Sequence, residues 1–284
     1  MNFKKIVATV LAATSVFAVA GATTACAPQG EKLKVKQIEL TQEDYAFAIR
    51  KGNSDLLNTV NGLIADWKDD GSLNTLINSY FEGDPSFTYT NKTNAPESDD
   101  FVMATNAAFP PFEYKKGNAF TGIDVQIASL IATHLGKDLF VFDMKFDSII
   151  ASVQNDESDI GMAGMTVTAT RQQQVDFATS YYTSAQVITV LESDTTFDAC
   201  VTAADVEAIL ATKDESYIIG TQNGTTGYMY SKGDVDFEYD GFTNLTTNGY
   251  TTGALAMQDL VNKRINAVIL DLQPSLMIAQ SINK

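Results

Sequence analysis

Three stretches of the sequence carry residue types that could do chemistry together. In the first, Ala163-Gly164-Met165-Thr166-Val167-Thr168 leads into Arg171. A bare strand end, a hydroxyl and a guanidinium at a helix start can hold an anion, because Arg meets a carboxylate through two parallel hydrogen bonds. The spacing leaves equally open that Arg171 pairs with an acid of its own chain. In the second, Gly220 to Gly227 reads GTQNGTTG between a predicted strand and a predicted helix. Glycine-rich turns at helix N-termini bind anions through free backbone N–H groups. This one is neither G-x-G-x-x-G nor a P-loop, so it suits a small carboxylate and nothing in it argues for a nucleotide. In the third, Asp271 follows the apolar run Ala267 to Leu270 and so sits at the C-terminal end of a strand. Ligands of open α/β sheets bind at such ends. Asp271 could hold a ligand's ammonium there, or equally serve as a structural helix cap.

Other candidates are weaker. Gly233 to Gly241 reads GDVDFEYDG, which invites a calcium loop. Starting that loop at Asp236 puts Gly241 at the sixth position, but Thr247 then stands where a bidentate Glu is needed, so these read as solvated acids and no metal site is expected. His134 stands beside the stop signal of a predicted helix and reads as a surface or boundary residue. With one histidine and two cysteines, Cys26 and Cys200, a structural zinc site, a Cys-His or Ser-His catalytic site and a disulfide scaffold have almost no raw material. Cys200 reads as a small buried hydrophobe. The charge balance is 19 − 35 = −16 over 284 residues. So acidic a surface repels phosphate backbones and argues against a nucleic-acid partner.

Met1 to Ala25 has the parts of a secretory signal: Lys4 and Lys5, an apolar run Ile6 to Ala20, and small residues before Cys26. These small residues resemble a bacterial lipoprotein cleavage site, although Thr23 stands where Leu is usual. The expectation is a lipid anchor at Cys26 and residues 26–30 as a tether. The mature chain then loses two lysines and has a balance of 17 − 35 = −18. No later apolar run is long enough to cross a bilayer.

The elements that must position these residues alternate between strand and helix, which argues for an α/β fold. Leu33, Val35, Ile38 and Leu40 mark a strand, and Tyr45 to Ile49 another. Leu56, Leu57, Val60, Leu63, Ile64 and Trp67 recur at helical spacing until Gly71. A second helix carries Leu73, Leu76, Ile77, Tyr80 and Phe81 inward. Gly83 to Asp100 reads as a linker. Strand Phe101 to Thr105 runs into the Pro-rich loop Asn106 to Pro111. The helix Gly122 to Leu135 faces inward with Ile127, Leu130, Ile131 and Leu135 and stops at Gly136. Further strands are expected at Leu139 to Phe142, Ile160 to Met165, Gln186 to Leu191, Tyr217 to Ile219 and Ala267 to Leu270, with helices between them.

The stretches ATNAAFPPFEYKKGNAFTGIDVQIASLIATHLG and MKFDSIIASVQNDESDIGMAGMTVTATRQQQVDFATSYYTSAQ resemble the first lobe of amino-acid-binding proteins of ABC importers, and IIGTQNGTTG and INAVILDLQPS resemble their second-lobe ligand loops. The resemblance runs from Phe101 to Lys284. The segment EDYAFAIRKGNSDLLNTVNGLIADWKDDGSLNTLINSYF resembles the family's C-terminal part, yet here it stands at Glu43 to Phe81. The chain therefore resembles a circularly permuted member of the family 3 solute-binding proteins.

That resemblance implies a two-lobe, periplasmic-binding-protein-like fold of type II. Lobe one would span 53–183 with the permutation linker 83–100. Lobe two would combine 31–42 and 192–284, and 43–50 and 186–191 would be hinge strands. It implies a monomer, lipid-anchored outside the cytoplasm, that delivers an L-α-amino acid to the membrane subunits of an ABC importer without a cofactor. By resemblance Arg171 clamps the α-carboxylate, helped by Thr166 and by backbone N–H groups near Thr225 and Thr226. Asp271 and the Gly164 carbonyl hold the α-ammonium, and Phe109 and Phe146 flank the ligand. Asn106, Met165 and Gln222 face its side chain, which is expected to be polar and uncharged. A ligand-sensing module for a receptor, or a dehydratase-like enzyme on the same fold, are the alternatives. No general acid or base beyond Asp271 stands out for the latter.

Overall fold

The computed structural model describes residues 31–83, 85–237 and 239–284. The signal segment and Cys26 lie outside the described residues. In chain order the strands and helices begin with β1 (Leu33–Lys36), β2 (Glu43–Tyr45), β3 (Ala48–Arg50), α1 (Ser54–Asp69), α2 (Ser72–Glu82) and β4 (Phe101–Thr105). Then come β5 (Ala108–Phe109), β6 (Glu113–Lys116), β7 (Ala119–Thr121), α3 (Ile123–Leu135), β8 (Leu139–Asp143), α4 (Ile149–Gln154), β9 (Ile160–Gly161), α5 (Ala169–Gln172), β10 (Val175–Phe177) and β11 (Tyr182–Ser184). The last are β12 (Gln186–Leu191), α6 (Ala203–Leu210), β13 (Ile218–Gln222), α7 (Thr226–Lys232), β14 (Thr246–Tyr250), α8 (Gly253–Val261), β15 (Ala267–Asp271) and α9 (Leu272–Ile282).

Two mixed five-stranded sheets organise these elements. The first has the order β10-β3-β9-β4-β8 and the second β1-β12-β15-β13-β14. Two inner strands, β4 and β15, are buried at every position and mostly apolar. Strands covered by helices on both sides need that pattern. β2 pairs with β11 where the chain passes between the sheets, in register Tyr45 with Tyr182. Leu40 N–H donates to the Gln186 carbonyl at 2.9 Å, the second place where the two passages touch.

Several expected boundaries shift for physical reasons. The expected hinge strand 43–50 breaks in two: β2 belongs to the crossing ladder, while β3 is already inside the first sheet. Gln186 to Leu191, the other expected hinge strand, pairs on both sides within the second sheet. Leu130 is 41% exposed rather than inward. The buried stripe of α3 runs through Ile123, Ile127 and Ile131, an i, i+4 row that leaves Leu130 on its flank. Cys200 is only half-buried, on the rim of the second sheet's apolar cluster. The hairpin ladder β5-β6-β7 and the partly exposed strand β14 were not expected.

The linker is pinned rather than loose. Asn91 Nδ2 donates to the Val141 carbonyl and Val141 N–H donates back to Asn91 Oδ1, both at 2.9 Å. One side chain thus closes the free edge of β8 as a neighbouring strand would. Tyr89 exchanges two backbone bonds with Phe120 at 2.7 Å, and the Thr121 hydroxyl donates to the Phe87 carbonyl at 2.6 Å. At the other end of the molecule, Leu33 N–H donates to Asn283 Oδ1 and Asn283 Nδ2 donates to the Leu33 carbonyl, each at 2.8 Å. The first described strand and the last helix are therefore fastened to each other.

Candidate functional site

The strand ends of the two sheets face one another across a partly open pocket with about 290 Å³ of empty space, some of it solvent-facing. From the half built on the first sheet and the β5-β6-β7 hairpins it is lined by Asn106, Phe109, Glu113, Phe146, Ala163, Gly164, Thr166 and Arg171. From the second come Gln222, Thr225, Thr226 and Asp271. Ten of the eleven residues expected at the ligand thus meet at one cavity. Met165 does not: it is 1% exposed and packs in the apolar cluster with Ala48, Ala104, Ile149 and Val175. Successive residues of an extended segment point to opposite sides, so Gly164 and Thr166 on the cavity side put Met165 on the core side.

Arg171 sits on α5, whose N-cap Thr168 accepts from Arg171 N–H at 3.2 Å. Its guanidinium is buried. Nη1 donates to the Thr166 carbonyl at 2.6 Å and Nη2 to the Gly224 carbonyl at 2.9 Å, and the head stacks over Phe146 at 5.4 Å. None of the ion pairs among the described residues involves Arg171. Pairing with an acid of its own chain is thereby not what holds it. Burial depresses its pKa, and the negative charges of Glu43, Asp271 and Asp236 work the other way.

Asp271 occupies the N-cap position of α9 yet makes no capping bond with its side chain. Its carboxyl instead takes a short hydrogen bond from the Tyr45 hydroxyl. Burial lifts its pKa to about 7, the charge of Glu43 adds to the lift, and the hydrogen bonds from Tyr45 and Gln186 oppose it. Of the two readings open for Asp271, the structure removes the capping one.

Gly164 has φ +53°, and a Cβ there would stand 2.8 Å from the Phe109 ring, so only glycine fits without strain. Its N–H donates to Asp124 Oδ2 at 2.9 Å. Asn106 and Gln222 meet across the cavity: Gln222 Nε2 donates to Asn106 Oδ1 at 3.1 Å. Met144's carbonyl accepts from Asn106 Nδ2 at 2.8 Å, and Gly253 N–H donates to Gln222 Oε1 at 3.0 Å. Both amides are therefore oriented by partners within the chain, and each keeps one N–H to offer.

Sequence reasoning missed four groups. Glu113 lines the cavity fully buried, and neither of its oxygens meets an N–H or O–H donor. Its carboxyl faces that of Asp124, and keeping one of two neighbouring carboxyls protonated relieves their repulsion. Burial and the Asp124 charge push the Glu113 pKa well up, and burial lifts Asp124 to about 7. Asp124 also accepts from the Tyr181 hydroxyl at 2.6 Å. Tyr45 was read only as strand core. Glu43, 2% exposed, accepts hydroxyl protons from Thr166 at 2.8 Å and Thr226 at 2.7 Å. A threonine hydroxyl has one proton, so Thr166 spends its own on Glu43. Burial of an acid leaves no mark in periodicity, and in a chain with 35 acids nothing singles these out. His134 is exposed on α3, far from this chemistry in role. Among the described residues no cluster of His, Cys, Asp and Glu could hold a metal ion, and no helix is long and apolar enough to cross a membrane.

The profile of bacterial extracellular solute-binding proteins, family 3, matches residues 101–275. The arginine-binding extracellular protein ArtP of Bacillus subtilis is 40% identical over 87 residues, 31% of this chain and 34% of its own. A putative ABC transporter arginine-binding protein 2 of Escherichia coli is 30% identical over 179 residues, 63% of this chain and 65% of its own. This chain thus spans between about a third and two thirds of the length of these curated relatives. Among solved structures, an ancestral arginine-binding protein bound to glutamine aligns with a TM-score of 0.53 at 26% identity, covering 66% of this chain and 75% of its own.

Proposed function

This chain belongs to the bacterial extracellular solute-binding proteins, family 3, and on that premise we propose that it captures an L-α-amino acid between two lobes and delivers it to an ABC importer. The family is one of binding proteins and not of enzymes, which removes the dehydratase alternative. One observation carries the reading. A buried guanidinium without a carboxylate partner and a buried carboxyl without a cation partner line the same pocket. Buried charges need opposite charges. A free α-amino acid supplies both from one carbon: its α-carboxylate for Arg171 and its α-ammonium for Asp271. The Gly164 carbonyl joins Asp271. The first turn of α7 at Thr226 has N–H groups without intrahelical partners, and these suit the carboxylate. Phe109 and Phe146 supply the apolar walls.

The side-chain end of the ligand is polar and uncharged in this reading. Asn106 and Gln222 are already linked and oriented, and both donate and accept. Glu113 does not offer a counter-charge to a basic side chain, because it keeps its proton beside Asp124. The relatives' names point instead to arginine, and the glutamine bound to an ancestral arginine-binding protein stands between the two. Calorimetric titration with the twenty amino acids tests both levels. Tightest binding of glutamine, asparagine or another neutral polar ligand is expected. Arginine or lysine binding tightest overturns the side-chain assignment, and no amino acid binding overturns the capture itself.

The lobes of this reading are the halves built on the two sheets, with 37–47 and 183–186 as the crossings. Cys26 is the lipid anchor that holds the exported chain at the membrane. The chain order is a circular permutation. The family match begins at residue 101, and the helices before it, α1 and α2, bury Val60, Ile64, Leu73, Ile77 and Tyr80 in the apolar cluster of Phe101 and Met103. The Leu33–Asn283 bonds fasten β1 to the end of α9, which supports reading the two as neighbours in the unpermuted order.

A further inference from the structure

Glu43 lies at the start of β2, on the passage between the two sheets, and is not among the groups that would touch the amino acid. Its oxygen Oε2 accepts the Thr166 hydroxyl at 2.8 Å, the Thr226 hydroxyl at 2.7 Å and Gln186 Nε2 at 3.3 Å. Its other oxygen, Oε1, accepts the Thr41 hydroxyl at 2.7 Å. Gln186 Nε2 also donates to Thr226 Oγ1 at 3.0 Å, which fixes that hydroxyl so that its own proton points at Glu43. The group is 2% exposed, and an acceptor of four donors is an ionised carboxylate.

Thr166 follows β9 in the first sheet, and its carbonyl holds Arg171. Thr226 opens α7, the helix that follows β13 of the second sheet. A single buried oxygen thus ties the arginine loop of one half to the glycine-rich loop of the other. Separating the halves breaks at least one of these bonds and leaves a carboxylate short of donors in a low-dielectric site. Bonds to a charged group are among the stronger ones, and an unsatisfied buried charge is costly. Other contacts that bridge the cavity, Gln222 to Asn106 and Arg171 to the Gly224 carbonyl, involve groups that a ligand would engage. The Glu43 carboxylate does not line the cavity itself, although Thr166 and Thr226, the residues it holds, do.

We propose that Glu43 is a closure latch: a positioning residue whose carboxylate holds Thr166 and Thr226 together and so keeps the two ligand loops closed over a captured amino acid. The latch rests on the capture reading but acts without touching the ligand, so it governs escape rather than entry. Glu43→Gln is nearly isosteric, yet its amide cannot accept this set of donors. The variant raises the ligand dissociation rate by about tenfold, the loss of about one hydrogen bond to a charged group, while the association rate stays within about threefold. Thr166→Val and Thr226→Val each raise it too, and neither adds to Glu43→Gln, because all three remove the same junction. Stopped-flow kinetics on the full chain reads these rates, with circular dichroism confirming the fold. Should Glu43→Gln fail to fold, the two threonine variants and their combination carry the test. A change confined to the association rate, unchanged dissociation, or fully additive effects overturns the latch. If the wild type binds no amino acid, capture is what fails. The latch is then judged by the distance between spin labels at His134→Cys and Thr212→Cys in a Cys26→Ser, Cys200→Ser background. That distance must lengthen in Glu43→Gln, and an unchanged distance overturns it.

Discussion

Lowering the pH should release the ligand, and the magnitude follows from Asp271. An ammonium is held by an ionised carboxylate, and this carboxyl must lose its proton in a site where burial and the Glu43 charge keep its pKa at about 7 against an ordinary 3.8. Below that pKa, each further unit costs about tenfold in affinity, since one pKa unit is about 1.4 kcal/mol. From pH 8 to pH 5 the dissociation constant should therefore rise by about 100-fold. Around the group, the Arg171 charge and the hydrogen bonds from Tyr45 and Gln186 favour the ionised form, while the Glu43 charge opposes it. Titration calorimetry at pH 5 to 8 in buffers of different ionisation enthalpy measures both the affinity and the proton released on binding, about one per ligand at pH 6. A dissociation constant that is flat across this range, with no proton release, refutes the assignment of Asp271 to the ammonium.

The unliganded protein should respond in the opposite sense. Asp124 and Asp271 both have folded-state pKa values above their ordinary 3.8, so the folded chain binds protons between about 4 and 7 that the unfolded chain does not. Their contribution to stability is complete below pH 4 and is lost as the pH rises through 7. The thermal midpoint without ligand should fall from pH 5 to 8 while the ligand-induced shift grows. Surface acids such as Asp205 and Asp214, whose pKa values are lowered by local hydrogen bonds, lose their contribution only below the ordinary carboxylate range and do not mask this window.

Arg171→Ala should abolish measurable capture with the fold intact, since truncating one partner of a desolvated charge pair costs about 2–5 kcal/mol; wild-type affinity by calorimetry would sink the carboxylate site. Gly164→Ala forces a Cβ to 2.8 Å from the Phe109 ring at φ +53° and should weaken binding at least tenfold, which a titration series would show or deny. Asn91→Ala frees the edge of β8 by removing two bonds, so a loss of about 1–3 kcal/mol in urea unfolding is expected with ligand affinity unchanged. A chain reordered as 100–284 followed by 33–83 should fold and bind the same ligand; if it stays unfolded, the permutation is wrong.

What could be read in the sequence was whatever leaves a local signature. Arg171 follows a capped helix start, Gly220 to Gly227 punctuates a strand-to-helix turn, and Asp271 ends an apolar run. Each is visible in a few consecutive residues. The helices α1 and α3 announce themselves by period and by the stops at Gly71 and Gly136. The parts that were not legible depend on what the chain brings together from far away. Met165 was placed at the ligand by resemblance, but the parity of one extended segment turns it into the core. Thr246 to Tyr250 forms an edge strand with no apolar alternation, because its pairing with β13 and not burial makes it a strand. Asn91 looks like loop filler until Val141 is beside it, 50 residues away. Glu43 meets Thr226 across 183 residues, and nothing in EDYAFAI marks its acid as a buried one.

Under the proposed capture, these buried groups give the cleft its means of holding a ligand. The first half brings an arginine without an acid in contact, and the second brings a carboxyl that burial keeps protonated near neutral pH. Alone, each half is electrostatically unfinished, and closing them without a ligand leaves both groups desolvated at some distance from each other. In the proposed capture, a zwitterion bonded to both would finish the set, its carboxylate on Arg171 and its ammonium drawing Asp271 into the ionised form. The same closure completes the Glu43 junction, which needs no ligand atom but can form only when Thr166 and Thr226 are together. Ligand contacts and latch contacts therefore favour one closed state, so each strengthens the other through that equilibrium. A molecule offering only an amine leaves the buried Arg171 charge unpaired, and one offering only a carboxylate leaves Asp271 protonated and without a partner, so each forfeits part of the gain.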